Sequence, residues 1–147
     1  MDAPGTFFVT KCLANRGSAM SNDAADIIAT ALCHLVTTDT IVLGAFLVMP
    51  DHWHAVIGLR REESISSRMR AIDRWINKSV RGCVWQQGFY ETRIRSTKQL
   101  LYVIDYIENN PVRKELVQER EQWRWSSAYE RFAEYIAKPW PWGFELD

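Results

Sequence analysis

The sequence predicts an α+β fold, one antiparallel sheet with helices packed on its face and a ferredoxin-like order of elements. Three observations carry this. Segments of period two and of period 3.6 follow one another as β, α, β, β, α, β, α. Two apolar strand-like runs are separated only by Pro50 and Asp51, a connection short enough to make them antiparallel neighbours. The chain has 147 residues, 47% of them hydrophobic, a size and apolar content suited to one domain with a substantial core. It shows no internal repeat, heptad or low-complexity tract.

Each element has its own signal. Thr6 to Cys12 (TFFVTKC) is apolar and β-branched, a first strand. A polar loop follows, and Ser21 or Asn22 can cap a helix with Asp23 and Asp26 near its positive end. Ile27, Ile28, Ala31, Leu32, Leu35 and Val36 recur at helical spacing, and Thr37 to Thr40 ends the run. Ile41 to Met49 (IVLGAFLVM) is the most apolar stretch and reads as a central strand. His52 to Leu59 (HWHAVIGL) is its hairpin partner. Glu62 to Val80 carries Ile65, Met69, Ile72, Trp75 and Ile76 as a helical stripe. Val84 to Ile94 is extended with weaker alternation. Ser96 or Thr97 caps a last helix with Leu100, Val103, Ile104 and Ile107 on its apolar face, and Pro111 is expected to stop it at Asn109 or Asn110. The tail from Glu115 holds a short helical patch and then KPWPWGF, which can pack but suits no regular element.

Composition narrows the function classes. The longest apolar stretch is far too short to span a membrane, and no basic-then-apolar leader opens the chain. Three widely spaced cysteines fit reduced thiols in a cytosolic protein better than a disulfide scaffold. Net charge is zero, but Arg60 to Lys114 holds 12 basic and 6 acidic residues, a basic centre between acidic ends. Such a surface can meet phosphates, and it also fits ordinary solvated helices. The 7 Trp, 5 Tyr and 6 Phe suit a core, an interface or a base-stacking surface alike.

His52 and His54 are the sharpest chemical signal. On a strand they share one face while Trp53 points to the other, so two imidazoles stand ready as metal ligands. The pair alone also reads as two surface histidines. A hard cation needs oxygen as well. Tyr106 and Asn110, four apart on the last helix, would flank its core-facing side. If that helix crosses the histidine face, Asn110 offers an amide oxygen and Tyr106 a hydroxyl able to attack phosphorus. Tyr102, one turn earlier, is a rival nucleophile, but it lacks the adjacent polar ligand. His34 has no partner in its register, and Cys33 and Cys83 read as packed residues.

The motifs VMPDHWH at 48–54, VWQQGFYETRIR at 84–95, YIENNPVRKELV at 106–117 and WRWSSAY at 123–129 occur together and in order. In this the chain resembles the single-tyrosine HUH transposases, and within them the bacterial branch associated with repetitive extragenic palindromes (REP). The resemblance runs from about Phe7 to Tyr129 of a single 1–147 domain, leaving 130–147 as a tail without an assigned role. It implies a ferredoxin-like or RRM-like HUH nuclease fold, a cytoplasmic bacterial setting and Mg²⁺ or Mn²⁺ as cofactor. It implies His52, His54 and Asn110 as metal ligands and Tyr106 as the nucleophile. The implied activity is that of a DNA nickase and strand transferase. It cuts single-stranded DNA beside hairpins through a 5′-phosphotyrosine, often as a homodimer, with the tyrosine helix supplied in cis or in trans. Asp51, where Asn is commoner, would tighten the metal or ligate it, and Trp53, bulkier than usual, should enter the core.

Arg60, Arg61, Arg68, Arg70, Arg74, Arg93, Arg95 and Lys98 are the expected phosphate contacts, although not all can face one way. A hairpin-binding relative that no longer cuts, and a metal-dependent phosphodiesterase using water, remain alternative readings of the same residues. Zinc is disfavoured because no thiolate accompanies the histidines.

Overall fold

The computed structural model describes residues 5–147. Four strands, β1 (Thr6–Cys12), β2 (Ile41–Met49), β3 (His52–Leu59) and β4 (Tyr90–Arg93), form one antiparallel sheet in the order β2-β3-β1-β4. Helices α1 (Asn22–Thr37), α2 (Ile65–Ser79) and α3 (Thr97–Arg113) connect or follow them. The α+β class and the order of elements are those expected. Among the described residues no helix is long and apolar enough to cross a membrane.

The strand period divides the sheet into two faces. Trp53, Ala55, Ile57 and Leu59 of β3 join Val9, Leu43, Phe46 and Val48 in a large apolar cluster under α1 and α2. Trp53 is fully buried there, as the alternation required. The opposite face carries His52, His54 and Val56, next to Ala45, Leu47 and Met49 of β2 and Phe8 of β1, and is covered by Leu100, Val103 and Ile107 of α3. α1 and α2 are capped by the side chains of Ser21 and Ser64 and α3 by Ser96, so α2 begins with its apolar stripe at Ile65 and not at the expected Glu62.

Three expectations need correction. β2 is the most apolar strand and wholly buried, yet it lies at the end of the sheet; β3 and β1 are the central strands. Apolarity reported burial of both faces, not strand neighbours on both sides. The C-terminal segment protects the edge: Val48 N–H donates to Trp125 O, Ser127 N–H donates to Phe46 O, and the Trp123 indole donates to Val48 O. Secondly, Pro111 does not stop α3, which continues to Arg113. A proline so near the end removes a single ladder donor. The helix ends where Glu115 takes a left-handed conformation (φ 59°) while Lys114, Glu115 and Leu116 N–H close on Asn110, Val112 and Pro111 carbonyls. Thirdly, of the extended stretch Val84 to Ile94 only Tyr90–Arg93 is strand.

The residues before β4 are pinned from below. Lys11, buried on the α2 face, donates to the carbonyls of Gln86 (2.8 Å) and Gly88 (2.7 Å) and pairs with Asp73 (3.2 Å). Gln86 N–H donates to Cys12 O and Ala14 N–H to Val84 O. The tail packs beside α3. A Cβ at Gly44 or Gly58 would run into the Trp140 ring, and at Gly58 into Trp142 as well, so these glycines let the indoles lie on the strands. The Asp147 carboxylate accepts from Thr97 N–H and Oγ1 (2.7 and 2.6 Å) at the start of α3.

Candidate active site

His52 and His54 open β3 on the α3 face, with ring centroids 4.6 Å apart. Each is tied back by its Nδ1. Asp51 Oδ1 lies 2.7 Å from His52 Nδ1, and Thr10 Oγ1 lies 2.7 Å from His54 Nδ1. With Nδ1 protonated and donating, each ring keeps its Nε2 lone pair for a ligand. Burial lowers the pKa of both. His54 falls to about 3, through desolvation first and then the charges of His52 and Arg16. His52 is lowered by desolvation against the opposing pull of Asp51. The Asp51–His52 contact is therefore a hydrogen bond from a neutral imidazole and not an ion pair at neutral pH.

Asp51 is the middle of a relay. Its Oδ2 accepts from Arg16 Nε at 2.8 Å. Burial alone would raise its pKa, but the hydrogen bonds from His52 and Arg16 outweigh this and hold it below the ordinary carboxylate value. Through Oδ1 and Oδ2 Asp51 joins His52 to Arg16 and orients the His52 ring.

α3 lies across the histidines. The Tyr106 ring is 6.4 Å from that of His54 and 6.3 Å from Phe8, centroid to centroid. It is 41% exposed, so its hydroxyl can meet a strand from solvent, and its ring neighbours His54 of its own chain. Arg113, two turns on, stacks over the Tyr106 ring at 4.5 Å and donates from Nη2 to Tyr106 O at 2.6 Å. Tyr102 is far more exposed and makes no comparable contact with the pair.

Asn110 is more buried than its helical angle implied, at 5% exposure, and its Oδ1 has no hydrogen-bond partner. An orphaned buried amide oxygen is costly unless something occupies it. Its place along α3 is bracketed. Tyr106, one turn before, meets His54; the charge of Lys114, one turn after, is felt at His52. Among the described residues no group of three or more His, Cys, Asp or Glu could hold a metal ion. Two imidazole nitrogens and an amide oxygen, completed by water, suit a divalent cation such as Mg²⁺ or Mn²⁺, so the residues present fit that group.

The expected phosphate contacts are scattered. Arg68, Arg70 and Arg74 lie on α2, across the sheet from the histidines, and Arg68 is held by Glu63 through two bonds (2.9 and 2.7 Å). Arg93 sits over Phe7 on that same far side. Arg60 pairs with Asp39 at 2.9 Å and Arg61 follows it, beyond the far end of β3. Arg95, paired with Glu145 at 3.1 Å, and Lys98 lie by the start of α3, about 12 Å along the helix from Tyr106. The cations around the histidines are instead Arg16, Arg113 and Lys114. Arg113 could have been found from its spacing of seven from Tyr106, had α3 been read through Pro111. Arg16 and Thr10 are remote in sequence from their partners and carry no local signal.

Sheet order, histidine pair and overlying tyrosine helix define the class of the single-tyrosine HUH transposases. The chain belongs to the IS200-like transposase family, whose model matches residues 7–110. It is 30% identical over 128 residues to the REP-associated tyrosine transposase of Escherichia coli strain K12, covering 84% of this chain and 76% of that one. It also resembles the solved structure of a REP-associated tyrosine transposase bound to a REP hairpin, at 28% identity and a TM-score of 0.75, over 95% of this chain and 86% of that one. A Deinococcus radiodurans structure, 19% identical with a TM-score of 0.53 over 74% of this chain and 92% of its own, shares the fold.

Proposed function

We propose that this protein nicks and rejoins single-stranded DNA beside a hairpin, with Tyr106 as nucleophile and His52, His54 and Asn110 holding Mg²⁺ or Mn²⁺. The observations that support this reading are two imidazoles tied back through Nδ1, the exposed phenol of Tyr106 beside His54, and the orphaned amide oxygen of Asn110 one turn from Tyr106 on α3. The solved relative bound to a REP hairpin supports a hairpin-bearing substrate.

Neutral imidazoles keep their lone pairs because burial resists their protonation. The bound cation would polarise a phosphate oxygen and offset the charge that grows during attack. Tyr106 Oη attacks phosphorus, its proton passing to solvent at the exposed side of the ring. The P–O3′ bond breaks, the departing strand takes up a proton as its 3′-hydroxyl, and the 5′-phosphate stays on Tyr106. A 3′-hydroxyl from another strand reverses the step and joins new DNA without ATP, since the tyrosyl ester conserves the phosphodiester linkage. Arg113 holds the ring by stacking and by its bond to the Tyr106 carbonyl, which limits the orientations the hydroxyl must search.

The test uses hairpin-bearing single strands labelled at the 5′ or the 3′ end and incubated in Mn²⁺. Wild type should yield a protein-bound 5′ end. Tyr106→Phe, which loses only the hydroxyl, should bind the strand and the metal yet give neither cleavage nor adduct, while Tyr102→Phe behaves as wild type. Cleavage by Tyr106→Phe at the wild-type rate would overturn the tyrosine mechanism and point to water as the nucleophile; binding without any cleavage by wild type would point to a non-cutting hairpin binder.

A further inference from the structure

Tyr90 stands first in β4, at the open edge of the sheet, and is 66% exposed. Its cross-strand partner is Thr10, and Thr10 is in turn paired with His54. Directly paired residues project to the same face of a sheet. Tyr90, Thr10 and His54 therefore form one row on the catalytic face, with the Thr10 hydroxyl bonded to the His54 ring. At about 4.8 Å between strands, Tyr90 is on the order of 10 Å from His54 across the floor.

The site is open on this side. α3 packs chiefly on β2 and β3 and leaves Tyr90 on β4 exposed. Positive charge stands on both sides of the row. Arg113 is held on Tyr106, and the Arg16 guanidinium, fixed by Asp51, also donates to Cys12 Sγ (3.1 Å), two residues along β1 from Thr10 on the same face. Tyr90 is also prepositioned from beneath, since the Lys11 ammonium clamps the carbonyls of Gln86 and Gly88 just before it. An aromatic ring that is exposed, carried on a strand whose approach is pinned, and two strands from the histidines has the features of a stacking platform.

We propose that Tyr90 forms a nucleobase subsite, stacking on the base of a nucleotide that flanks the scissile phosphate as the strand crosses from the histidines to the sheet edge. The occupant is one base of the substrate strand itself, because the row is continuous with the catalytic groups and is bordered by the two guanidiniums that its backbone needs. Stacking accepts any base, so the subsite grips and aligns the strand more than it reads sequence. The proposal rests on the single-strand DNA reading above.

The experiment scans 2-aminopurine through single strands that carry a REP-type hairpin and its flanking nucleotides, in a Tyr106→Phe background that prevents cutting. One position beside the scissile phosphate should be strongly quenched on binding. Tyr90→Ala and Tyr90→Leu should relieve that quenching and weaken binding about tenfold, while Tyr90→Phe and Tyr90→Trp retain both. With Tyr106 restored, Tyr90→Ala should raise KM about tenfold and change kcat far less; thermal melts confirm that each variant is folded. Leucine keeps apolar bulk without a stacking face, so its grouping with alanine separates stacking from a packing role. Wild-type quenching and affinity in Tyr90→Ala, or rescue by leucine, overturns the subsite while leaving the DNA reading intact. Failure of the Tyr106→Phe parent to bind any such strand overturns both.

Discussion

The two faces of the sheet use the same strands in opposite ways. Toward α1 and α2, β3 presents Trp53, Ala55, Ile57 and Leu59, all buried in an apolar cluster. Toward α3 it presents His52 and His54, whose partners are Asp51, Thr10 and Tyr106. Alternate residues one step apart thus serve stability and chemistry. The dry face fixes the strand, and the strand then fixes the imidazoles. The α3 face accepts two buried histidines, a buried Asn110 with an unpartnered oxygen and a half-exposed tyrosine; the dry face carries a polar cost of its own in the unpartnered Trp53 indole N–H.

Substitutions on adjacent residues should separate the faces. The largest functional effect is expected from His52→Ala with His54→Ala. Calorimetric titration should show loss of nearly all Mn²⁺ binding, with the melting transition still cooperative. Undiminished binding in the double variant would place the metal elsewhere. Trp53→Ala, between them, should do the reverse. It removes a fully buried indole and should cost about 3–5 kcal/mol in urea unfolding, with metal affinity retained by the fraction that remains folded. A loss below about 1 kcal/mol would mean that the dry face is not what holds β3.

A smaller effect joins the two faces through pH. His54 ionises at about 3 in the fold against 6.5 ordinarily. As pH falls below 6.5, the unfolded chain therefore takes up this proton before the folded one, and stability is lost progressively down to about pH 3. The slope from this one group is at most about 1.4 kcal/mol per pH unit. Urea midpoints measured across that range should fall more steeply for wild type than for His54→Gln; parallel curves would show that His54 is not a neutral buried group.

The regions differ also in how far they were legible. The dry face followed from local pattern: period two in β3, helical stripes in α1 and α2 (Trp75 excepted, which stays exposed), and the Ser21 cap of α1. Half of the candidate site followed in the same way. H-x-H on a strand must share a face, and residues four apart on a helix must be neighbours, so His52 with His54 and Tyr106 with Asn110 were each legible as pairs. The relay through Asp51 to Arg16, the Thr10 hydroxyl on His54 and the Tyr90 row were not. They join residues from different strands and loops, and no single stretch of chain records them.

The sequence by itself determined the elements, their order, and which side chains each would turn to a common face, because backbone periodicity and capping act over a few residues. Tertiary structure alone decided that α3 crosses the histidine face within the same chain, and that β2 is an edge sealed by Trp125 and Ser127. It also decided that the cations nearest the site are Arg16, Arg113 and Lys114 and not the more numerous arginines of α2. Those outcomes depend on packing between segments far apart in the chain, where the competing contacts are made only once the sheet has closed.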